Sequence, residues 1–296
     1  MSTIAANNIS NVPSNPSALT VGTVTAHGVN FNANGVSHIT MSATGQVLVN
    51  GMVLGSSGGL QPTNLVFGAS SGLTNTTGSG NTFVGYQTGK ANTSGSSNTF
   101  VGTNSGANAT DSQNNTFVGT NTGAIIASGA SNNTFVGAQA GSSTTTGNNQ
   151  IIIGNGAAAS VPSALNEVTL GNGSIAVLRC QVTGITSLSD SRDKTDVVDL
   201  PVGLSFVNTL RPVSFTWNTR DGSKVGITDS GFLAQELQAS ETSFDAAHVL
   251  GLVSSSNPEK LEANYSKLLP VMVKAIQELS AQVAALQEQL AAKGSA

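Results

Sequence analysis

The chain has 296 residues, a formal net charge of −4 and 9% charged residues, compared with about 25% in a typical protein. Its length allows two domains, but its acidic balance excludes a basic surface for nucleic acid, and no run of about 18 apolar residues predicts membrane insertion. The single cysteine, Cys180, excludes an intrachain disulfide framework.

Residues 1–50 are irregular in sequence, and we interpret them as an N-terminal attachment region. The segments ALTVGTVTAHGVNF and GQVLVNG predict short strands between turns. His27 and His38 are isolated in this polar region, so we expect surface or packing roles and no metal site. The opening sequence MSTIAANNIS has neither the basic nor the apolar segment of a secretory signal.

Residues 51–178 contain a sequence repeat. The pentapeptide NTFVG occurs four times, and NLVFG, QIIIG and EVTLG extend the same register on both sides. The closing glycines are separated by 17, 17, 17, 18, 17 and 17 residues: Gly68, Gly85, Gly102, Gly119, Gly137, Gly154 and Gly171. Such a strict short period predicts stacked units that bury their apolar side chains only together.

The triplet Thr-Phe-Val favours a β-strand whose side chains alternate between two faces. This alternation predicts one buried row with Ile152 at its end: Phe83, Phe100, Phe117, Phe135 and Ile152. The glycines would supply the bends between strands. We therefore predict a mainly β shaft with a 17-residue period, either a β-solenoid or an intertwined triple β-structure, followed by a small α+β domain.

Charge divides the chain near Leu178. Residues 1–178 contain only Lys90, Asp111 and Glu167 as charged residues. A charge repeated in stacked units would face its own copy about 4.8 Å away and destabilise the stack, whereas Asn and Thr can form hydrogen-bonded ladders. The composition shift predicts a domain boundary near Leu178, at the end of a shaft at 51–178. The family resemblance given below implies a linker at 179–188 and a second domain at 189–296.

The second domain has a mixed pattern. Leu204, Val207 and Leu210 are spaced as in a helix that would start at Pro201. PVSFTW alternates as a strand, DGSK predicts a turn, and GFLAQELQ predicts a helix entered at Ala234.

A coiled-coil helix is predicted at about residues 265–290. Eight apolar residues follow one another at alternating steps of 4 and 3, as in a heptad seam: Tyr265, Leu269, Met272, Ile276, Leu279, Val283, Leu286 and Leu290. The narrow stripe favours self-association, and an amphipathic helix packed on its own domain is the alternative. Ile and Val alternating with Leu favour a dimer in simple coiled coils.

Four segments in this order carry a family resemblance: SDSRDK, LRPVSFTW, GFLAQEL and ANYSKLLPVMVKAIQEL. Together they resemble the intramolecular chaperone domain of bacteriophage tail fibres and tailspikes, peptidase family S74. The resemblance implies a homotrimer in which Ser189 is a nucleophile and Lys194 its base. It also implies self-cleavage between Leu188 and Ser189.

Only a neutral lysine can accept the proton of Ser189. Burial or a nearby cation such as Arg192 would favour the neutral amine, and a nearby carboxylate such as Asp190 would oppose it. Residues five positions apart lie about 140° apart around a helix. The pair therefore requires a bent segment or a contact between subunits.

We expect a homotrimeric phage tail fibre, assembled in the host cytoplasm and located on the virion. Its expected partners are virion or baseplate proteins and a host cell-surface receptor, such as a glycan, with no cofactor. A bacterial trimeric adhesin is one alternative, although no secretion signal or anchor is visible. A polysaccharide-degrading tailspike is another, although glycoside hydrolysis needs paired carboxylates and the shaft offers only Asp111 and Glu167.

Overall fold

A computed structural model describes four short strands and two long stretches of the chain: 29–33, 36–41, 47–49, 52–55, 63–181 and 184–294. Most of the predicted attachment region, including His27, lies outside the described residues. His38 lies in one of the four strands.

One eleven-stranded sheet organises the N-terminal part of the chain. The strands are β1 (Val29–Ala33), β2 (Val36–Met41), β3 (Val47–Val49), β4 (Met52–Gly55), β5 (Leu65–Phe67), β6 (Thr82–Val84), β7 (Thr99–Val101), β8 (Thr116–Val118), β9 (Thr134–Val136), β10 (Ile151–Ile153) and β11 (Val168–Leu170). Strands β1 to β5 pair antiparallel with their neighbours. Strands β5 to β11 pair parallel, each with the strand one repeat later.

The parallel strands form a β-solenoid of about six turns over residues 65–170, so the predicted repeat fold is confirmed. Equivalent residues of successive repeats pair directly, as Phe83 pairs with Phe100 and Phe100 with Phe117. All these pairings occur within one chain, which identifies a single-chain solenoid and not an intertwined triple β-structure.

The buried row predicted for the repeat is present. The five predicted residues and Val66 are fully buried. Neighbouring phenylalanine rings are stacked, with centroids 5.3, 4.8 and 4.8 Å apart. The row is therefore a continuous apolar core along the solenoid axis.

Two glycines in each of the four NTFVG repeats are required by different contacts. Gly102, which closes a strand, has φ +125°, and a Cβ on it would lie 2.4 Å from the carbonyl oxygen of Gly119 in the next turn. Gly106, four residues later, has φ +56°, and its Cβ would lie 2.5 Å from the ring of Phe100. One glycine permits close stacking of the turns, and the other leaves space for the aromatic row.

A ladder of buried amides runs beside the aromatic row. Asn98 Oδ1 accepts a hydrogen bond from the backbone N–H of Asn115 at 3.0 Å, and Asn98 Nδ2 donates to the carbonyl of Ser112 at 2.7 Å. The same acceptor bond occurs in five successive turns and ends at Gln150. Neutral amides can bond to their own copies in this way, whereas charged groups would repel one another.

The C-terminal part is a small α+β unit. Its elements are α1 (Leu204–Val207), β12 (Val213–Asn218), β13 (Val225–Gly231), α2 (Ala234–Ser243), α3 (Ala247–Leu250), β14 (Val253–Ser254), β15 (Glu262–Ala263) and α4 (Leu268–Gly294). Its core includes Phe206, Leu237, Leu252 and Val271, all at most 1% exposed. None of the helices in the described part of the chain is long and apolar enough to cross a membrane.

The predicted elements of this unit are largely present. The strand PVSFTW becomes β12, and α2 begins at Ala234 as predicted. The helix predicted from Pro201 is shorter and begins at Leu204, because Gly203 has non-helical backbone angles, φ −148° and ψ −121°. A Glu278 carboxylate oxygen accepts the N–H of Leu204 at 2.7 Å. This bond satisfies one of the free N–H groups at the first turn of α1.

We predict that Gly106→Ala destabilises the solenoid by about 2–4 kcal/mol, because it combines left-handed backbone strain with overpacking against Phe100. Gly129→Ala is the matched control. Its φ is +81°, but a Cβ there would have no atom within 4 Å. The control should therefore cost only about 1–2 kcal/mol. Unfolding monitored by circular dichroism measures both, and equal losses would contradict the ring contact as the cause.

Candidate self-cleavage site

Ser189 and Lys194 are in contact within one chain. The Lys194 Nζ atom lies 2.8 Å from Ser189 Oγ and 3.2 Å from the Ser189 carbonyl oxygen, and it donates to both. In its neutral form, the same amine can accept the hydroxyl proton at this distance. The geometry therefore suits the nucleophile and base roles that the family resemblance implies.

A single turn of 3-10 helix, Ser191–Asp193, brings the two side chains together. Asp190 caps the turn, because its Oδ1 accepts the backbone N–H of Arg192 at 2.9 Å. Lys194 then leaves the turn with extended backbone, at φ −126° and ψ 139°. The chain thus bends back on itself, which is one of the two arrangements that a five-residue separation allows.

Arg192 is engaged with Asp190. Its Nη2 lies 2.6 Å from Asp190 Oδ2, and its Nε lies 3.0 Å from Asp190 Oδ1. The bonds from Arg192, the side-chain bond first, hold the pKa of Asp190 below its usual range. The carboxylate therefore stays charged at neutral pH and continues to cap the 3-10 turn. It also compensates the charge of Arg192, so this cation does not act on Lys194 alone.

The site is exposed in the single chain. Ser189 and Lys194 both lie on the surface, and Leu188, on the other side of the proposed scissile bond, is 80% exposed. In the described residues from 172 to 199, no strand or α-helix forms. Large apolar residues in this extended segment are nevertheless at the surface: Ile175, Val177, Leu178, Ile185, Leu188, Val197 and Val198.

The predicted seam is also exposed. Its eight side chains are 45–69% exposed. Seven of them lie on α4, whereas Tyr265 precedes that helix in a 3-10 turn. The Tyr265 hydroxyl donates to the carbonyl of Phe232 at 3.2 Å, and the two rings pack edge to face.

A second face of α4 packs on its own domain. Leu268, Val271 and Ala275 are buried, and Glu278 is the residue that caps α1. These four positions are separated by 3, 4 and 3 residues and form a second stripe on α4. The sequence pattern did not identify this stripe, because the predicted seam is longer. The helix therefore packs on its own domain through the second stripe, as the alternative interpretation predicts. The predicted seam remains uncovered.

The two shaft acids are not paired. Asp111 accepts hydrogen bonds from Ser128 Oγ at 2.6 Å and from the N–H of Gly129 at 2.7 Å. Glu167 accepts from Ser160 and Thr169. The acids lie three turns apart, about 14 Å along the axis at about 4.8 Å per turn, so one chain does not form the carboxylate pair of a glycosidase. The described residues also contain no group of three or more His, Cys, Asp or Glu that could hold a metal ion.

Comparison with known families gives one match. Residues 189–248 match the Peptidase S74 family model, described as the chaperone of endosialidase. The match begins at Ser189, the residue that lies against Lys194. No curated protein and no solved structure matches the chain. The C-terminal region thus has a chaperone-family segment, and the shaft is characterised by its solenoid fold.

We predict that Ser189→Ala abolishes a cut between Leu188 and Ser189 and leaves the chain at 29.6 kDa, because no other hydroxyl contacts Lys194 at this position. Lys194→Arg should also block the cut, since a guanidinium does not lose its proton. Thr195→Ala, next to the dyad, is the control that should still cleave. Intact mass spectrometry gives the outcome, and a normal cleavage rate in Ser189→Ala would refute the assignment.

Proposed function

We propose that the chain is the subunit of a homotrimeric bacteriophage tail fibre with a self-cleaving C-terminal chaperone. The observation that carries this proposal is the succession of two parts in one chain. A repeat solenoid is followed, after a short extended segment, by a segment that matches the chaperone family and begins at Ser189. This arrangement fits a tail-fibre or tailspike-like protein.

The solenoid has a physical need for an assembly factor. Its turns carry nearly the same triplet, so two chains displaced by one turn still present most of the same surface to each other. Register is weakly specified in such a structure. A terminal clamp raises the effective concentration of the chains and fixes which turn faces which.

The exposed stripe of α4 suits this clamp. The helix is 27 residues long, about 40 Å at 1.5 Å per residue. From residue 279 to residue 294 every side chain is exposed, although helices in proteins gain most of their stability from the packing of an apolar face. Three copies packed through the stripe would bury its members on this part of the helix: Leu279, Val283, Leu286 and Leu290. The number three comes from the family and not from the heptad pattern.

Cleavage would proceed through the dyad without a cofactor. Lys194 takes the hydroxyl proton, and Ser189 Oγ adds to the carbonyl carbon of Leu188. The carbon–nitrogen bond breaks, the Ser189 nitrogen receives the proton, and an ester joins Leu188 to the serine oxygen. Water then hydrolyses the ester, which leaves a carboxylate on Leu188 and a free amine on Ser189.

Assembly would activate the cut. A charged lysine exposed to water is a poor base, and burial favours its neutral form. The dyad and the apolar residues around it are exposed in one chain, so packing of the extended segments of three chains would cover both. Cleavage would then follow correct assembly and not precede it.

The proposed partners follow from the fibre role. The N-terminal region would attach to other virion or baseplate proteins, and the shaft would meet a receptor on the host cell surface, such as a glycan. The subunits would assemble in the host cytoplasm and reside in the virion tail. Phage adsorption measured with and without excess purified shaft tests the receptor part of this proposal.

We predict that Ile276→Asp with Leu279→Asp prevents trimer formation, because each copy would place two charges in the apolar seam. Gln277→Asp with Ser280→Asp is the matched control. It adds the same two charges one position further along α4, at exposed residues outside the seam. Sedimentation velocity distinguishes the two chains. Trimers of the seam variant, or loss of trimers in the control alone, would rule out this seam.

A further inference from the structure

The solenoid exposes a second regular surface, the outer face of its parallel sheet. In each turn the first and third strand residues point away from the core. The first row contains Leu65, Thr82, Thr99, Thr116, Thr134, Ile151 and Val168. The third row contains Phe67, Val84, Val101, Val118, Val136, Ile153 and Leu170. The parallel register keeps each row continuous from β5 to β11.

Strand propensity does not explain the third row. Thr suits a strand as well as Val does, and the first row uses Thr in four consecutive turns. The third row has an apolar residue in all seven turns, with Phe67, Ile153 and Leu170 at the ends. An apolar strip of this length exposes on the order of several hundred Å², near the upper limit for a monomer.

The charges of the shaft avoid this face. Lys90, Asp111 and Glu167 all lie outside the strands. Asp111 is held in a turn by Ser128 and Gly129, and Glu167 is bound to Ser160. The sheet face is therefore free of charge along its whole length, and its third row is apolar throughout. Depletion of charged residues is the compositional mark of the core of a protein interface.

We propose that this outer face turns toward the axis of the assembly and packs against the same face of neighbouring copies of the chain. A second copy presents the same rows with the same spacing of about 4.8 Å, so every turn meets an equivalent turn. Larger side chains at both ends of the strip, such as Phe67 and Leu170, match only when the copies are in register. This inference rests on the proposed fibre for the number of copies that assemble. It rests on the parallel sheet for the face through which they pack.

Cross-linking tests the face directly in the full-length chain. Val118→Cys and the control Ser94→Cys each carry Cys180→Ser, and a short bismaleimide joins neighbouring thiols. Ser94 is exposed in a bend outside the sheet. We expect covalent dimers from Val118→Cys and not from Ser94→Cys. Equal yields, or dimers only from Ser94→Cys, would overturn the proposal.

A charge at the same position provides the second readout. Val118→Glu should raise the dissociation constant of the assembly by about a hundredfold or more, because unpaired carboxylates would be buried at the contact. Ser94→Glu should leave it unchanged, as sedimentation equilibrium would show.

The two proposals fail in different ways. If trimers form while Val118→Cys gives no cross-link and Val118→Glu has no effect, the proposed packing face is wrong and the proposed trimeric fibre is retained. If the copies cross-link through Val118→Cys but form only dimers, the proposed trimer is wrong and the proposed packing face is retained.

Discussion

Stacking of nearly identical turns at the spacing of a β-sheet is the constraint on which the shaft depends. Each side chain has its own copy above and below it, so a residue type is acceptable only if it tolerates itself as a neighbour. Phenylalanine meets this condition by ring stacking, and buried asparagine meets it by bonding to the next turn. A repeated charge does not, and the three charged residues of the shaft lie outside the strands. The unusual composition is a consequence of this geometry.

The same regularity leaves the alignment of chains poorly defined, and the proposed C-terminal clamp would supply that alignment through irregular structure. Its helix α4 has two stripes with separate uses. Leu268, Val271 and Ala275 attach the helix to its own domain, while the stripe through Ile276 and Leu279 remains available to other copies. Because Glu278 also caps α1, the exposed stripe has a fixed orientation relative to the domain. In the proposed clamp, such an anchored helix would transmit alignment to the shaft better than a flexible one.

The sequence predicts most of the solenoid because the same alternating pattern and closing glycine recur in every unit. The buried row from Phe83 to Ile152 and the bends at the glycines are confirmed, since alternation and period determine them. The cap of α1 is less predictable, because the N–H of Leu204 is bound by a carboxylate 74 residues away, at Glu278. The contact between Ser189 and Lys194 depends on a cap by Asp190 that spacing alone does not reveal. Single, non-repeated contacts of this kind are where sequence reasoning is weakest.

Cleavage at the junction of the two parts would separate the domain that aligns the chains from the solenoid that is stabilised by stacking. Alignment would depend on α4 and its domain, whereas the extensive stacking is in the solenoid, and the proposed scissile bond lies between them. Once the clamp has left, an unfolded shaft chain has no means to restore its register, because displaced turns compete with the correct ones. Its persistence would then be governed by the unfolding barrier and not by a reversible equilibrium. A long fully stacked core is suited to a high barrier, because opening one turn exposes aromatic surface on both of its neighbours.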